Sequence, residues 1–346
     1  MRRDIGTDDP RVRVRPGRAS RPRTKIRPDY SDAPLARVIG VDRGRSHLLL
    51  DDGVELTAVK ARELGRRAIV VGDRVRVTGD LSGGKDTLAR VVKVEERTSE
   101  LRRSTEEGDG RERVIVANAD QLAIVVALAN PDPKPGMIDR CLVAAYVAGM
   151  TPFLVLTKAD LASAADLLDR YEPLGLPAYV TDLSSVACDI ASSYPPESPP
   201  VDLSELRDVL AGHETVLVGH SGVGKSTLIN ALVPEAERTI GHVNEVTGKG
   251  RHTSTSAVSF ALAGGGRIID TPGVRSFGLA HVRPEDLLRG FSDLAEVAQE
   301  CPRGCPHTAD ALDCALSEVT DERLKARVAS FRRLLDAGRV NDWSNS

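Results

Sequence analysis

The sequence predicts a multidomain α/β protein: an amino-terminal β-barrel, a parallel-sheet domain around a phosphate loop, and a helical carboxy-terminal domain with a metal cluster. Three observations predict it. Residues 215–227, TVLVGHSGVGKST, run from a β-branched apolar stretch through a glycine-rich turn into a helical pattern. Residues 34–99 hold short β-type runs separated by turn signals. Residues 301–314 gather three cysteines and a histidine.

At 346 residues the chain is long enough for two or three domains with real cores. Its formal net charge of −3 conceals an asymmetry. Residues 1–103 carry 25 Lys and Arg against 16 Asp and Glu, whereas the remainder carries 22 against 34. A basic front section points to an anionic partner, nucleic acid foremost, or else to a solvated basic surface. The arginine-rich start has no apolar core behind it, so no secretory signal is expected. The longest uncharged stretch, between Arg140 and Lys158, is broken by Gly149 and Pro152 and is short for a membrane span. A buried helix running into a buried strand explains it better. Five unevenly placed cysteines do not make a disulfide framework. The expectation is a cytoplasmic monomer with no membrane partner.

Residues 1–33 are rich in Arg-Pro pairs and poor in apolar side chains, which marks a disordered basic tail. It is either an arm that grazes nucleic acid or a solubilising extension. Runs at 36–41, 47–50, 54–59, 68–71, 74–77 and 88–94 predict five or six short strands. Turns fall at Asp51-Asp52-Gly53, Gly72-Asp73 and Ser82-Gly83-Gly84. That density suggests an OB-fold barrel over residues 34–103. Such barrels commonly stack bases on aromatic side chains, yet residues 34–99 contain no Phe, Tyr or Trp. Any RNA contact here falls to backbone phosphates, through residues such as Arg43, Arg45, Arg66 and Arg67. A purely structural barrel is the alternative. Polar residues 104–112 read as a linker. Buried strands are then predicted at 113–116 and 121–128, joined by a tight turn at Asn118-Ala119-Asp120. A helix follows at 137–148, its apolar face at Ile138, Leu142, Val143 and Tyr146. Further strands are predicted at 153–156, 178–181, 256–262 and 267–269, with a helix at 203–210. Such alternation builds a parallel sheet with ligands at the carboxyl ends of its strands.

Gly219-x4-Gly224-Lys225-Ser226 satisfies the phosphate-loop pattern. From Gly219 through His220, Ser221, Gly222, Val223 and Gly224 to Thr227, consecutive backbone N–H groups curl around a phosphate, and glycine supplies the φ angles this requires. Lys225 offers a cation to the β- and γ-phosphates and Ser226 a hydroxyl to Mg²⁺, while the helix start aims its N–H groups at the anion. Thr157-Lys158-Ala159-Asp160 resembles the guanine-reading motif of GTPases, usually Asn-Lys-x-Asp. Asp160 accepts hydrogen bonds from both N1–H and the 2-amino group of guanine; adenine lacks both donors and strands the carboxylate. The Lys158 stem packs on the base, and Thr157 replaces the usual carboxamide with a shorter hydroxyl. Asp160 also suits the N-cap of a following helix. Residues 248–255, GKGRHTST, read as a mobile switch whose Thr253 or Ser254 offers a hydroxyl to Mg²⁺, or as an ordinary surface loop. Asp270-Thr271-Pro272-Gly273 is a DxxG motif behind a strand. Asp270 would hold Mg²⁺ through water, and the Gly273 N–H would sense the γ-phosphate.

The order of these motifs is unusual. In ordinary GTPases the phosphate loop comes first and the guanine motif late; here 157–160 precedes 219–226, 250–255 and 270–273. All sit on loops at one sheet edge, so cutting the chain elsewhere and rejoining its ends preserves the site. The result is a circularly permuted P-loop GTPase domain, expected over residues 113–282, whose second switch leads directly into residues 283–346. There Cys301-x3-Cys305-x-His307-x6-Cys314 matches a closed, four-coordinate zinc site. Cys141 and Cys188 read as core or neutral positions. A final helix at 321–336 carries Leu324, Val328, Phe331 and Leu335 on one face.

With VANADQLAIV, Ile138-Asp139-Arg140, TKAD, GHSGVGKSTLIN, GKGRHTST, DTPGVRSFG and the Cys-Cys-His-Cys cluster identified, the chain resembles the RsgA (YjeQ/EngC) family of circularly permuted GTPases over residues 34–335. The resemblance implies an OB-fold, a permuted GTPase domain and a zinc-binding helical domain. It also implies hydrolysis of GTP to GDP and phosphate during late maturation of the small ribosomal subunit, stimulated by that subunit and its rRNA. Departures are Thr157, the Thr253-Ser254-Thr255 run where the family more often has three threonines, and a zinc spacing shifted by one residue in each outer gap. Val274 follows DxxG where many GTPases carry a water-orienting glutamine, so another polar group is required. His252 on the switch is the candidate catalytic residue beside Lys225. An RNA-docking switch and an ATP-dependent phosphotransferase are the rival readings.

Overall fold

The computed structural model describes residues 29–42, 44–65, 68–84, 87–104, 112–183, 203–234, 257–271, 277, 279 and 282–339. Strands β1 (Leu35–Asp42), β2 (Arg45–Leu50), β3 (Glu55–Lys60), β4 (Arg74–Gly79) and β5 (Ala89–Val94) pair in the order β1-β2-β3-β5-β4, and β4 returns to β1. The ladder closes into a barrel, with β3 and β5 parallel. Side chains alternate across each strand, so Val38, Leu48, Leu56, Ala58, Val75, Val77 and Val91 fill the interior. The expected strand at 68–71 is absent: only Val71 bridges, in isolation, to Val116. The Asp73 side chain takes that backbone instead, Oδ2 accepting from Val70 N at 2.9 Å.

Asp73 anchors the base of the barrel. Its buried carboxylate accepts from Arg97 Nε at 2.7 Å and Nη2 at 2.9 Å. Beside it Gly72 has φ 87°, and a Cβ there would lie 1.9 Å from Ala117 O, so the backbones meet only because this residue is glycine. Asn118 closes the junction, its Nδ2 donating to Gly72 O at 2.8 Å and its Oδ1 accepting from Thr98 N at 2.9 Å.

Strands β6 (Glu100–Ser104) and β7 (Glu112–Ala117) form a separate antiparallel ribbon. Two sequence expectations are corrected here. Residues 100–104 are a strand where none is expected, and 113–116 does not join the sheet of 121–128. The expected turn is present, but Asn118 is left-handed at φ 57° and splits the backbone partners. Its N–H reaches Ser99 O at 3.0 Å, while Asp120 N reaches Glu214 O at 3.1 Å.

The main sheet has strands β8 (Gln121–Ala127), β9 (Thr151–Thr157), β10 (Ala178–Val180), β11 (Glu214–Val218), β12 (Val258–Ala261) and β13 (Arg267–Asp270). Their order is β10-β9-β8-β11-β13-β12, parallel except for β12. The chain runs outward from β8 to β10 and then returns to place β11 on the other side of β8. This reversal is the switch point at which such sheets bind ligands. Both faces are covered, which is why these strands read as unbroken apolar runs. Leu122, Ile124 and Val126 pack beneath α1 (Pro135–Ala148) and α2 (Ala165–Tyr171). Ala123, Val125 and Ala127 pack beneath α3 (Ser204–Leu210) and α4 (Lys225–Leu232). Among the described residues one pair, Gly40 with Val258, joins β12 to β1 and makes barrel and sheet continuous.

Beyond the sheet, α5 (Pro284–Leu288), α6 (Ser292–Val297) and α7 (Glu322–Arg339) build onto α1. Every residue of α1 from Met137 to Ala145 is buried, because Phe291, Phe331, Leu334 and Leu335 cover its outer side. The apolar face expected at Ile138, Leu142, Val143 and Tyr146 is only part of the surface removed from water. Among the described residues, no helix is long and apolar enough to cross a membrane. Replacing the fully buried Asp73 removes one of the two carboxylates on Arg97, Glu100 being the other, and strands the buried Val70 N–H. Asp73→Ala should therefore lose about 1–3 kcal/mol in urea unfolding followed by circular dichroism.

Candidate functional site

β11 ends at Val218 and the chain turns at once into the phosphate loop. A Cβ on Gly219 would stand 2.3 Å from Val125 O of neighbouring β8, so the loop leaves the sheet at the only height a bare backbone permits. Gly224, at φ 92°, ends the loop, and α4 starts at Lys225 with no side-chain cap among the described residues, so its first N–H groups open at the loop. Lys225 folds back along the loop, Nζ donating to Gly219 O at 2.7 Å and to His220 O at 3.0 Å. Burial pushes the pKa of this lysine down, and Asp270 opposes the shift. Ser226 is exposed on the first turn of α4.

Asp270 is the last residue of β13, opposite Leu217 of β11. Burial pushes its carboxyl up, against the pull of Lys225 and of the Thr271 N–H. Its Oδ1 is buried with no hydrogen-bond partner among the described residues. An orphaned carboxylate oxygen beside a phosphate loop fits a hydrated Mg²⁺ arriving with a nucleotide, and Ser226 fits as the hydroxyl ligand. Thr271 Oγ1 donates to Leu217 O at 2.8 Å and fixes the exit from β13. His252, Thr253, Ser254, Gly273 and Val274 lie outside the described residues, as do Arg43, Arg66, Arg67, Cys188 and tail residues 1–28.

The base end of the site is built where β9 stops. The buried Thr157 Oγ1 donates to Val223 O at 2.6 Å, tying this loop to the phosphate loop. Lys158 takes φ 60° and donates through Nζ to the Asn130 carbonyl. Asp160 is exposed in the turn that follows. It does not cap α2, which begins only at Ala165, where Ser163 Oγ accepts from Ala165 N at 3.2 Å. Sequence reasoning missed the loop after β8, although its Asn-Pro-Asp-Pro run is a strong turn signal. Pro131, Asp132, Pro133 and Lys134 line a small cavity with His220 and Val223.

The second cluster lies between α6 and α7. One ligand atom from each of Cys301, Cys305, His307 and Cys314 falls within 4.8 Å of the others. His307 Nδ1 is 3.5 Å from Cys301 Sγ and 3.8 Å from Cys314 Sγ. Ligands about 2.0–2.3 Å from a tetrahedral ion stand about 3.5–3.8 Å apart, so donor set and spacing both fit zinc. The His307 carbonyl accepts from Arg332 Nε at 3.2 Å and its ring lies against Phe331, which ties the cluster to α7.

Thr157 offers a direct test of the tie between the two nucleotide loops. Thr157→Val keeps the shape but leaves the Val223 carbonyl unsatisfied, which should cost about 1–3 kcal/mol in thermal unfolding. GDP affinity should fall with it, and Thr157→Ser should retain both.

The chain matches the family model described as RsgA GTPase over residues 94–280, a span that takes in the guanine motif, the phosphate loop and Asp270. Small ribosomal subunit biogenesis GTPase RsgA of Pseudomonas aeruginosa is 38% identical over 285 residues, covering 80% of this chain and 78% of that protein. The protein of the same name from Azotobacter vinelandii is 38% identical over 277 residues, covering 78% and 74%. In fold, YjeQ from Thermotoga maritima superposes with a TM-score of 0.58 at 24% identity, covering 87% of this chain and 98% of its own. YloQ, a circularly permuted GTPase, superposes with a TM-score of 0.57 at 22% identity, covering 90% and 97%. On this sequence match and this arrangement of motifs, the chain belongs to the RsgA GTPase family.

Proposed function

We propose that this protein binds the small ribosomal subunit and hydrolyses GTP to GDP and phosphate during late maturation of that subunit, with hydrolysis stimulated by the subunit. The observation that carries the reading is the meeting of Lys225, Asp270 and the Lys158–Asp160 turn at one sheet edge. Relatives named for small-subunit biogenesis support the partner.

In this reading the backbone from Gly219 to Thr227 cradles the phosphates, and Lys225 exchanges its loop carbonyls for phosphate oxygens. Ser226 and Asp270, Asp270 through water, would hold Mg²⁺ together with Thr253 or Ser254, and the ion would supply neutralisation of negative charge on the phosphates. Asp160 reads the guanine edge, Lys158 covers the base, and the Gly273 N–H senses the γ-phosphate. His252 orients the attacking water once RNA has seated the switch. The barrel contacts RNA phosphates through Arg45, exposed on β2, with Arg43, Arg66 and Arg67. Cys301, Cys305, His307 and Cys314 hold one structural zinc ion. The expected division is a basic tail (1–33), an OB-fold RNA-binding domain (34–103), the permuted GTPase domain (113–282) and a zinc-binding helical domain (283–346), in a cytoplasmic monomer.

GTP hydrolysis measured with and without purified small subunits tests the core of this. Turnover should rise by roughly 10²-fold or more with subunits, and His252→Ala should lose that rise while still binding GTP. Equal turnover in both conditions, or ATP competing as well as GTP, would overturn the reading. For the cluster, purified protein should carry one equivalent of zinc. Cys305→Ser should lower both the zinc content and the thermal midpoint, and Cys141→Ser should leave the zinc content unchanged.

A further inference from the structure

The Ile138-Asp139-Arg140 run has no part in the chemistry above, yet Asp139, the one carboxylate on α1, is buried and engaged from several sides. Its side chain is 4% exposed. Oδ2 lies 3.1 Å from Arg333 Nε of α7 and 3.7 Å from Arg170 Nη2 of α2. Tyr171 OH, at the end of α2, lies 3.0 Å from Asp139 Oδ1 and 3.2 Å from Pro135 O, so its one proton bridges the carboxylate and the first turn of α1. The Arg333 guanidinium also covers the Tyr171 ring at 5.5 Å. Two further bonds fasten α7 to the same helices. Arg140 Nη1 donates to Ala337 O at 3.2 Å, and Arg327 Nη1 donates to Pro173 O at 2.9 Å, just past α2.

The helices held together here are the two that leave the base end of the nucleotide pocket. α1 begins after the loop whose Asn130 carbonyl accepts Lys158 Nζ, and α2 begins after the turn that carries Lys158 and Asp160. A change in the angle between α1 and α2 therefore moves the two halves of the base site relative to each other. We propose that the Asp139–Arg333 pair makes the carboxy-terminal helix α7 a positioning element for the guanine end of the pocket. Asp139 and Arg333 are positioning residues, acting through α1 and α2 and not on the nucleotide itself. A partner that displaced α7 would loosen guanine nucleotide, and bound nucleotide would steady α7 by the same amount. This inference rests on the nucleotide-site reading of residues 157–160.

The test compares GDP and ADP affinity in the full chain for the unaltered protein, Asp139→Asn, Arg333→Met, Arg333→Lys and the double variant Asp139→Asn/Arg333→Met. The first two single variants should each weaken GDP binding by about 5-fold or more and narrow its margin over ADP. The double variant should be no weaker than the worse single one, and Arg333→Lys should recover part of the loss. A lowered thermal midpoint with the GDP-to-ADP ratio unchanged would show a purely structural pair and overturn the proposal. Should the variants fail to fold, hydrogen exchange on the unaltered protein decides. GDP should slow exchange in residues 322–339, and protection confined to the loops and α4 would refute the link. Failure of the unaltered chain to prefer GDP over ADP would overturn the nucleotide-site reading itself, and this inference with it.

Discussion

Parallel pairing of β11 with β8 on one side and β13 on the other is the constraint on which the site depends. The register sets Val218 against Ile124 and Leu217 against Asp270, while β9 lies against the far side of β8 and ends at Thr157. Backbone hydrogen bonds recognise neighbours and not chain order, so a permuted chain delivers the same loops to the same edge. The contact of Gly219 with the Val125 carbonyl then sets the height of the phosphate loop, and Thr157 fastens the base loop to Val223.

What was legible in the sequence was whatever a local pattern carries. The phosphate loop, the guanine motif and Asp270 follow from spacing, and β8, β9 and β11 from unbroken apolar runs that only a doubly covered strand tolerates. The barrel strands follow from alternation, whereas the closure of β4 onto β1 is a non-local register that no single run records. β6 reads ELRRS, has no alternation, and exists because β7 pairs with it. Residues 68–71 look like a strand, but the Asp73 carboxylate takes their backbone. The partners of Thr157 and Lys158 are main-chain carbonyls, and a carbonyl leaves no trace in residue identity. The partners of Asp139 lie on α2 and α7, and no local pattern around α1 records them.

Among the described residues the carboxy-terminal segment shares its interior with the sheet. Phe291, Leu294, Phe331, Leu334 and Leu335 belong to the same apolar cluster as Leu122, Ile124 and Val216 of the sheet. The cysteine–histidine cluster sits within this shared packing, because Cys305 and Cys314 are buried in it and the His307 ring meets Phe331. The seam with the barrel adds polar and backbone contacts to this burial: Gly72 against Ala117, the Asn118 side chain, the Gly40–Val258 ladder pair and the Arg37–Glu214 ion pair, beside Val71 of the shared apolar cluster.

Burial of α1 from both sides has a consequence for synthesis. Asp139 and Arg333 are separated by 194 residues, so the α7 part of the outer wall of α1 is synthesised well after α1 itself. At about 5–20 residues per second, α1 waits roughly 10 to 40 s with an apolar flank and an acidic group facing water. The nascent chain therefore carries an uncovered apolar flank throughout that interval, and a product truncated ahead of α7 would keep it.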